Sequence, residues 1–179
     1  MEKTLRRLQW GGFLFTALAG TLLHFLYDWS GENALIGAIS AVNESVWEHM
    51  KLLFFPMLFA ALVQRPILSG EYPVFWCVKL IGFAAGLFLI PALYYTYTGA
   101  LGMELTWVDI SIFYVAAAAV YLLETYLLRA SHRRGCSFSR LAGILLAALA
   151  FLFLLWTFFP PQLPLFRDPL TLGYGFPPR

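Results

Sequence analysis

The chain has 179 residues, 60% of them hydrophobic and only 12% charged, with a mean hydropathy of +0.72 and a formal net charge of +2. Ordinary soluble chains are about 45–50% apolar and about 25% charged, so a soluble domain of this size could not cover its apolar surface. Disorder is excluded because it needs low hydrophobicity and high charge, and a nucleic-acid binder because the positive charge is too small.

A transmembrane helix takes about 20 mostly apolar residues. Five stretches qualify: 8–27, 44–64, 74–97, 107–128 and 141–159. They are continuous apolar runs and not alternating ones, which argues against a β-barrel. In the first, Ala17-Leu18-Ala19 resembles a signal-peptidase site, but apolar residues continue through Leu22, Leu23, Phe25 and Leu26, so an uncleaved span is expected. The segment 34–42 is apolar but too short to cross. It reads as a short re-entrant or interfacial helix capped by Asn33, or as the start of one long bent helix reaching Gln64. Pro56 and Pro91 interrupt the second and third spans, and each removes a backbone hydrogen bond. Gly82 and Gly86 form a small-xxx-small pair that permits close helix packing. Glu124 and Arg129, five apart in the fourth span, read as a structural pair. The two cysteines, Cys77 and Cys136, predict neither a disulfide framework nor a zinc-ligand spacing. Six of the ten prolines lie in residues 160–179, which therefore read as an extended tail. Its apolar residues Leu163, Leu165, Phe166, Leu170, Leu172 and Phe176 predict that it packs on the outer mouth of the bundle. Gly173 and Gly175 around Tyr174 suggest a tight turn.

With five spans, Lys3, Arg6, Arg7, Arg65, Lys79, Arg129, Arg133, Arg134 and Arg140 fall on one side, nine of the twelve basic residues. The positive-inside rule then places the N-terminus in the cytoplasm and the C-terminus outside. The predicted fold is an all-α integral membrane bundle of five helices (1–159) with an extracytoplasmic tail (160–179).

The polar residues gather at the outer end. On a helix starting at Glu44, at about 100° per residue, Glu44, Glu48 and Lys51 form one stripe and Ser45 and His49 the next, with Trp47 on the flank. His24 and Asp28 stack four apart near the outer end of the first span. Tyr94, Tyr95, Tyr97, Asp109, Ser111 and Tyr114 belong to the same end. Plainer roles exist for each: Asn43 as an N-cap, Glu48 with Lys51 as an i,i+3 pair, Trp47, Trp107 and the tyrosines as interface anchors. The two histidines are harder to dismiss. Intramembrane ionisable groups are costly and mark function by default.

Three kinds of function fit. One is metal-assisted hydrolysis or transfer on a lipid-like substrate. His24 and His49 with one carboxylate, Glu48 first and Glu44 or Asp28 as alternatives, supply a zinc site. A second carboxylate then serves as general base, and Ser45 as helper. The second is a scaffold or ligand-binding protein whose polar cluster fixes helix packing. The third is a small ion- or proton-coupled transporter, against which stands the position of the polar groups away from the midplane. Membrane lipid is the expected partner in each.

Two resemblances attach to these residues. The Ser45-x-x-x-His49 spacing is similar to one motif of the membrane hydrolases that include alkaline ceramidases, although the second histidine pair and two of the seven spans of that superfamily are missing. More extensively, Asn43-Glu44-Ser45-Val46-Trp47-Glu48-His49, the preceding His24, and the tail Phe166-Arg167-Asp168-Pro169-Leu170-Thr171-Leu172-Gly173-Tyr174-Gly175 resemble a family of small bacterial integral membrane proteins of unknown function. That resemblance implies a bacterial plasma membrane, draws Asp168 and Tyr174 toward the site, and implies glycine where this chain has Leu172.

Overall fold

The computed structural model describes residues 2–176. Five long helices, α1 (Glu2–Trp29), α3 (Val46–Leu68), α4 (Phe75–Leu101), α5 (Thr106–Ala130) and α6 (Ser139–Phe158), are each long and apolar enough to cross a membrane. The short α2 (Ala34–Gly37) follows α1, and a single 3-10 turn, Pro164–Phe166, lies in the tail. A long apolar helix therefore stands at each of the five expected spans, with ends shifted by one to six residues. Successive helices alternate direction, so one end of the bundle carries most of the lysines and arginines and the other carries both histidines of the predicted site.

α3 is the central element. It packs against α1, α4, α5 and α6, and residues on all its faces are buried, from Met50 and Leu52 to Ala60 and Ala61. Between lipid-facing helices the hydrophobic effect supplies little, so close packing has to hold the bundle. An aromatic cluster does much of this at the histidine end. Trp47 stacks on Phe153 at 4.3 Å, and Phe54 meets Phe153 at 4.8 Å and Phe83 at 5.1 Å. Such pairs contribute about 0.5–1.5 kcal/mol each. Trp47 is thus a core residue, not the interface anchor that its sequence position allowed. Gly82 and Gly86 do let α4 and α5 meet: a Cβ on Gly82 would lie 2.6 Å from Glu124 Oε1, and one on Gly86 2.8 Å from Val120. α3 and α4 continue through Pro56 and Pro91.

Several expectations need correction. The long helix begins at Val46, with Ser45 as its N-cap, so no continuous bent helix runs from Ala34 to Gln64. Asn33 does cap α2, accepting from Leu35 N at 2.9 Å. Glu124 pairs with Lys79 at 2.6 Å, both fully buried, while Arg129 pairs with Glu2 at 3.3 Å. An arginine five residues along α5 points the wrong way round the helix, whereas Lys79 lies on the facing turn of α4. The cysteines are joined: Cys77 in the first turn of α4 and Cys136 in the α5–α6 connection form a disulfide across 59 residues.

The tail folds back onto the histidine end. Phe166 is buried against Trp47 at 4.7 Å, and Asn43 Nδ2 donates to Gly175 O at 2.7 Å. Its turn lies earlier than the glycines suggest. Arg167 and Tyr174 form an antiparallel bridge, Asp168 N donates to Gly173 O at 3.0 Å, and Leu172 takes the left-handed conformation at φ 59°.

Candidate functional site

Ser45 caps α3 by accepting from Glu48 N, and Asn43 Oδ1 accepts from Ser45 N at 2.8 Å. Both residues are therefore occupied in ending the 38–45 connection. Because the helix starts after them, Glu44 does not share a face with Glu48. It projects from the turn toward α1, while Glu48 points into the bundle. The predicted stripe is split in two, and the two halves do different things.

The first half is the candidate centre. His24 Nε2 lies 3.6 Å and His49 Nε2 3.4 Å from the same oxygen, Glu44 Oε2. The imidazole rings are 5.3 Å apart and nearly perpendicular. One ligand atom from each of the three residues falls within 4.8 Å of the others. His49 Nδ1 sits 3.0 Å from Ser45 O. A carbonyl only accepts, so this bond places the proton on Nδ1 and leaves the Nε2 lone pair toward Glu44. Zn–N and Zn–O bonds of about 2.0–2.2 Å at a tetrahedral angle separate neighbouring ligand atoms by about 3.3 Å. The two measured separations are close to that and longer than the about 2.7–2.9 Å of a direct charged hydrogen bond. The His24 imidazole beside Glu44 holds its carboxyl below the usual carboxylate range, against an opposing effect of burial. Glu44 is then ionised at neutral pH, as a ligand must be. This contribution is lost as pH falls through the lowered value.

The three residues line one wall of a cavity of about 470 Å³. Glu104 and Asp109 line it as well, and among the described residues no lysine or arginine does. Tyr94 donates to Glu104 and Tyr97 to Asp109. Much of the remaining lining is apolar: Phe25, Leu52, Ile90, Ile110, Ile112 and Phe113. Sequence reasoning placed Asp109 at this end but not in the site, and did not single out Glu104. The signal was the short 102–105 connection, which holds any acids beside it at the level of His24.

The second half is a buried clamp. Lys51 Nζ lies 2.7 Å from Glu48 Oε2 and donates to Gly37 O at 2.9 Å and Thr157 Oγ1 at 2.8 Å. Glu48 Oε2 also accepts from Val42 N at 3.0 Å. Glu48, expected as the metal-ligating carboxylate, thus joins α2, α3 and α6 and leaves the histidines to Glu44. The i,i+3 pairing with Lys51 is the reading that holds.

The other predicted residues contribute no side chain to the cluster of His24, Glu44 and His49. Ser45 touches the centre only through its carbonyl. Asp28 is exposed and makes no ion pair among the described residues. Asp168 is buried and fastens its own turn, its carboxylate accepting from Leu170 N at 3.0 Å and Thr171 Oγ1 at 2.6 Å. Tyr174 stands beside a second, smaller cavity, of which Pro169 and Tyr94 are shared walls.

With this geometry in hand, comparison with known proteins adds the lineage. Residues 5–176 match a family of unknown function, DUF6512. The chain belongs to that family. No curated protein and no solved structure matches it. The histidine–glutamate cluster, both cavities and the tail as far as Phe176 fall within the matched span.

Proposed function

We propose that this DUF6512 protein is a membrane-embedded metalloenzyme, a hydrolase or transferase acting on a lipid-like substrate at the outer leaflet of the plasma membrane. The supporting observation is the convergence of His24 Nε2 and His49 Nε2 on Glu44 Oε2, at 3.6 and 3.4 Å, in the wall of a largely apolar cavity. Two imidazoles and a carboxylate are the ligand set of many catalytic zinc sites. Glu44, Glu104 and Asp109 give the cavity a negative potential suited to a cation. Zinc bound there supplies a Lewis acid and a water of lowered pKa. Asp109, on the facing wall, is the group we assign as general base. Tyr97, which donates to it, positions it. The apolar lining accepts the aliphatic part of a substrate and keeps bulk water out. The positive-inside rule puts this end of the bundle outside.

Elemental analysis of the protein purified in detergent tests the reading. We expect one zinc per chain, lost in His24→Ala, His49→Ala and Glu44→Gln and kept in Arg167→Gln, which lies outside the ligand set. Absence of stoichiometric metal, with the same substitutions lowering only thermal stability, overturns it. That outcome would favour the second reading, a non-enzymatic scaffold or ligand-binding protein, which the Lys51–Glu48 clamp supports by showing that part of this polar run serves packing. Proton-linked uptake into liposomes that depends on Glu44 would instead favour a transporter.

A further inference from the structure

The tail builds a second chamber beside the first. It is a half-open hollow of about 320 Å³ that shares Val46, Tyr94 and Pro169 with the larger cavity. Its chemistry is the opposite. Among the described residues the larger cavity holds three carboxylates and no lysine or arginine, whereas the only charged residue lining the smaller one is Arg167.

Much of the tail's hydrogen bonding serves to hold Arg167 in place. The Arg167–Tyr174 bridge and the Asp168 N to Gly173 O bond close the turn. Arg167 Nε donates to Leu172 O at 3.4 Å, which sets the direction of the guanidinium. The neighbouring Asp168 carboxylate, spent on Leu170 N and Thr171 Oγ1, makes no ion pair with it. Among the described residues Arg167, which is exposed, has no acidic partner, and the hydroxyls of Tyr95 and Tyr174, which line the same hollow, make no hydrogen bond to another protein group. A guanidinium beside phenolic donors at the mouth of a cavity is a receptor for a phosphate oxyanion.

The two chambers are also ordered in depth. The smaller one lies between the tail, the start of α3 and Tyr94 and Tyr95 of α4, while the larger one runs from Glu104 and Leu170 at the surface down to Leu52, Gly20 and Ile90, one to two helical turns further into the bundle. A membrane lipid is ordered in the same way, with its phosphate at the surface and its chains below. We propose that the smaller chamber binds the phosphate of a phospholipid through Arg167, with the lipid chains passing Leu170 into the larger cavity against Phe25, Ile110 and Phe113. This names the substrate class of the enzyme reading and rests on it for the reaction, although phosphate recognition itself needs no metal.

The test measures lipid retention by the purified full chain in detergent, with and without chelator. The probes are phosphatidylglycerol, diacylglycerol with the same chains, and inorganic phosphate as competitor. Phosphatidylglycerol should bind and diacylglycerol should not. Arg167→Gln should weaken phosphatidylglycerol by about tenfold or more, the worth of a charged arginine–phosphate contact, with unfolding temperature and zinc content unchanged. Arg167→Lys should recover part of the loss. Equal retention of the two lipids, or an Arg167→Gln variant that binds as the parent does, overturns the proposal. Displacement of the lipid by millimolar inorganic phosphate also overturns it, by making the free anion the ligand. If no zinc is found but retention still depends on Arg167, the lipid site stands and the enzyme reading fails.

Discussion

Lys51 carries three ammonium hydrogens and meets three acceptors, from Glu48, Gly37 and Thr157, with no exposed surface. A buried pair of this kind gains little over an apolar pair, but removing one partner strands the other charge at a cost of about 3–5 kcal/mol. Lys51→Met should therefore destabilise the bundle by about that amount, and Lys51→Met with Glu48→Leu should recover most of it. Thermal or chemical unfolding in detergent checks both variants. Leu172 makes a smaller point of the same kind. It holds φ 59° at an exposed position, a conformation that costs an L residue about 1–2 kcal/mol and glycine almost nothing. Leu172→Gly should raise the unfolding temperature or leave it unchanged. A fall would mean that the Leu172 side chain packs on the bundle.

At the scale of elements, the site depends on how closely α1 approaches α3. Gly20 sets that distance one turn before His24. A Cβ there would lie 2.6 Å from the Leu52 carbonyl oxygen and 2.4 Å from Phe113. Backbone cannot rotate aside as a side chain can, so Gly20→Ala should push α1 from α3 and spread His24 from His49. Zinc retained through dialysis should fall while His24 and His49 themselves are intact. Unchanged retention would show that the two helices yield elsewhere. The five helices were legible in the sequence because lipid allows few alternatives to a long apolar run. The assignment of Glu48 to the metal was not, for a local reason. Asn43 and Ser45 are equally good caps, and a start two residues later takes Glu44 off the helix altogether. The pairing of both histidines with a carboxylate survived that shift, because it rested on chain depth and not on helical angle. The participation of Asp109 and Glu104 depended on how α4 and α5 turn about each other, which periodicity does not encode.

Over the whole molecule, two rules address orientation and disagree. The basic end carries nine of the twelve lysines and arginines, which assigns it to the cytoplasm. The same end carries the Cys77–Cys136 disulfide, and such bonds persist mainly in oxidising compartments. We propose the orientation that the charge gives, because the charge bias acts during insertion and the disulfide forms only afterwards. In a chain with Cys77 and Cys136 replaced by serine, single cysteines at Ser131 and Thr171 should then label from opposite faces in intact cells, Thr171 from outside. Labelling of both from one face would remove the five-span topology, and the reverse assignment would turn the histidine site toward the cytoplasm.

The sulfur link has a mechanical consequence as well. It closes α4, the 102–105 connection and α5 into a covalent ring anchored at the basic end. Strain introduced at the opposite end, by a ligand wedged between Tyr94 and Asp109 or by a break in the connection itself, can splay these two helices only as tweezers open, about a fixed pivot. The cavity mouth can widen while the far end keeps its spacing, so that the loss of this tether by reduction would change the compliance of the mouth without altering any group that lines it.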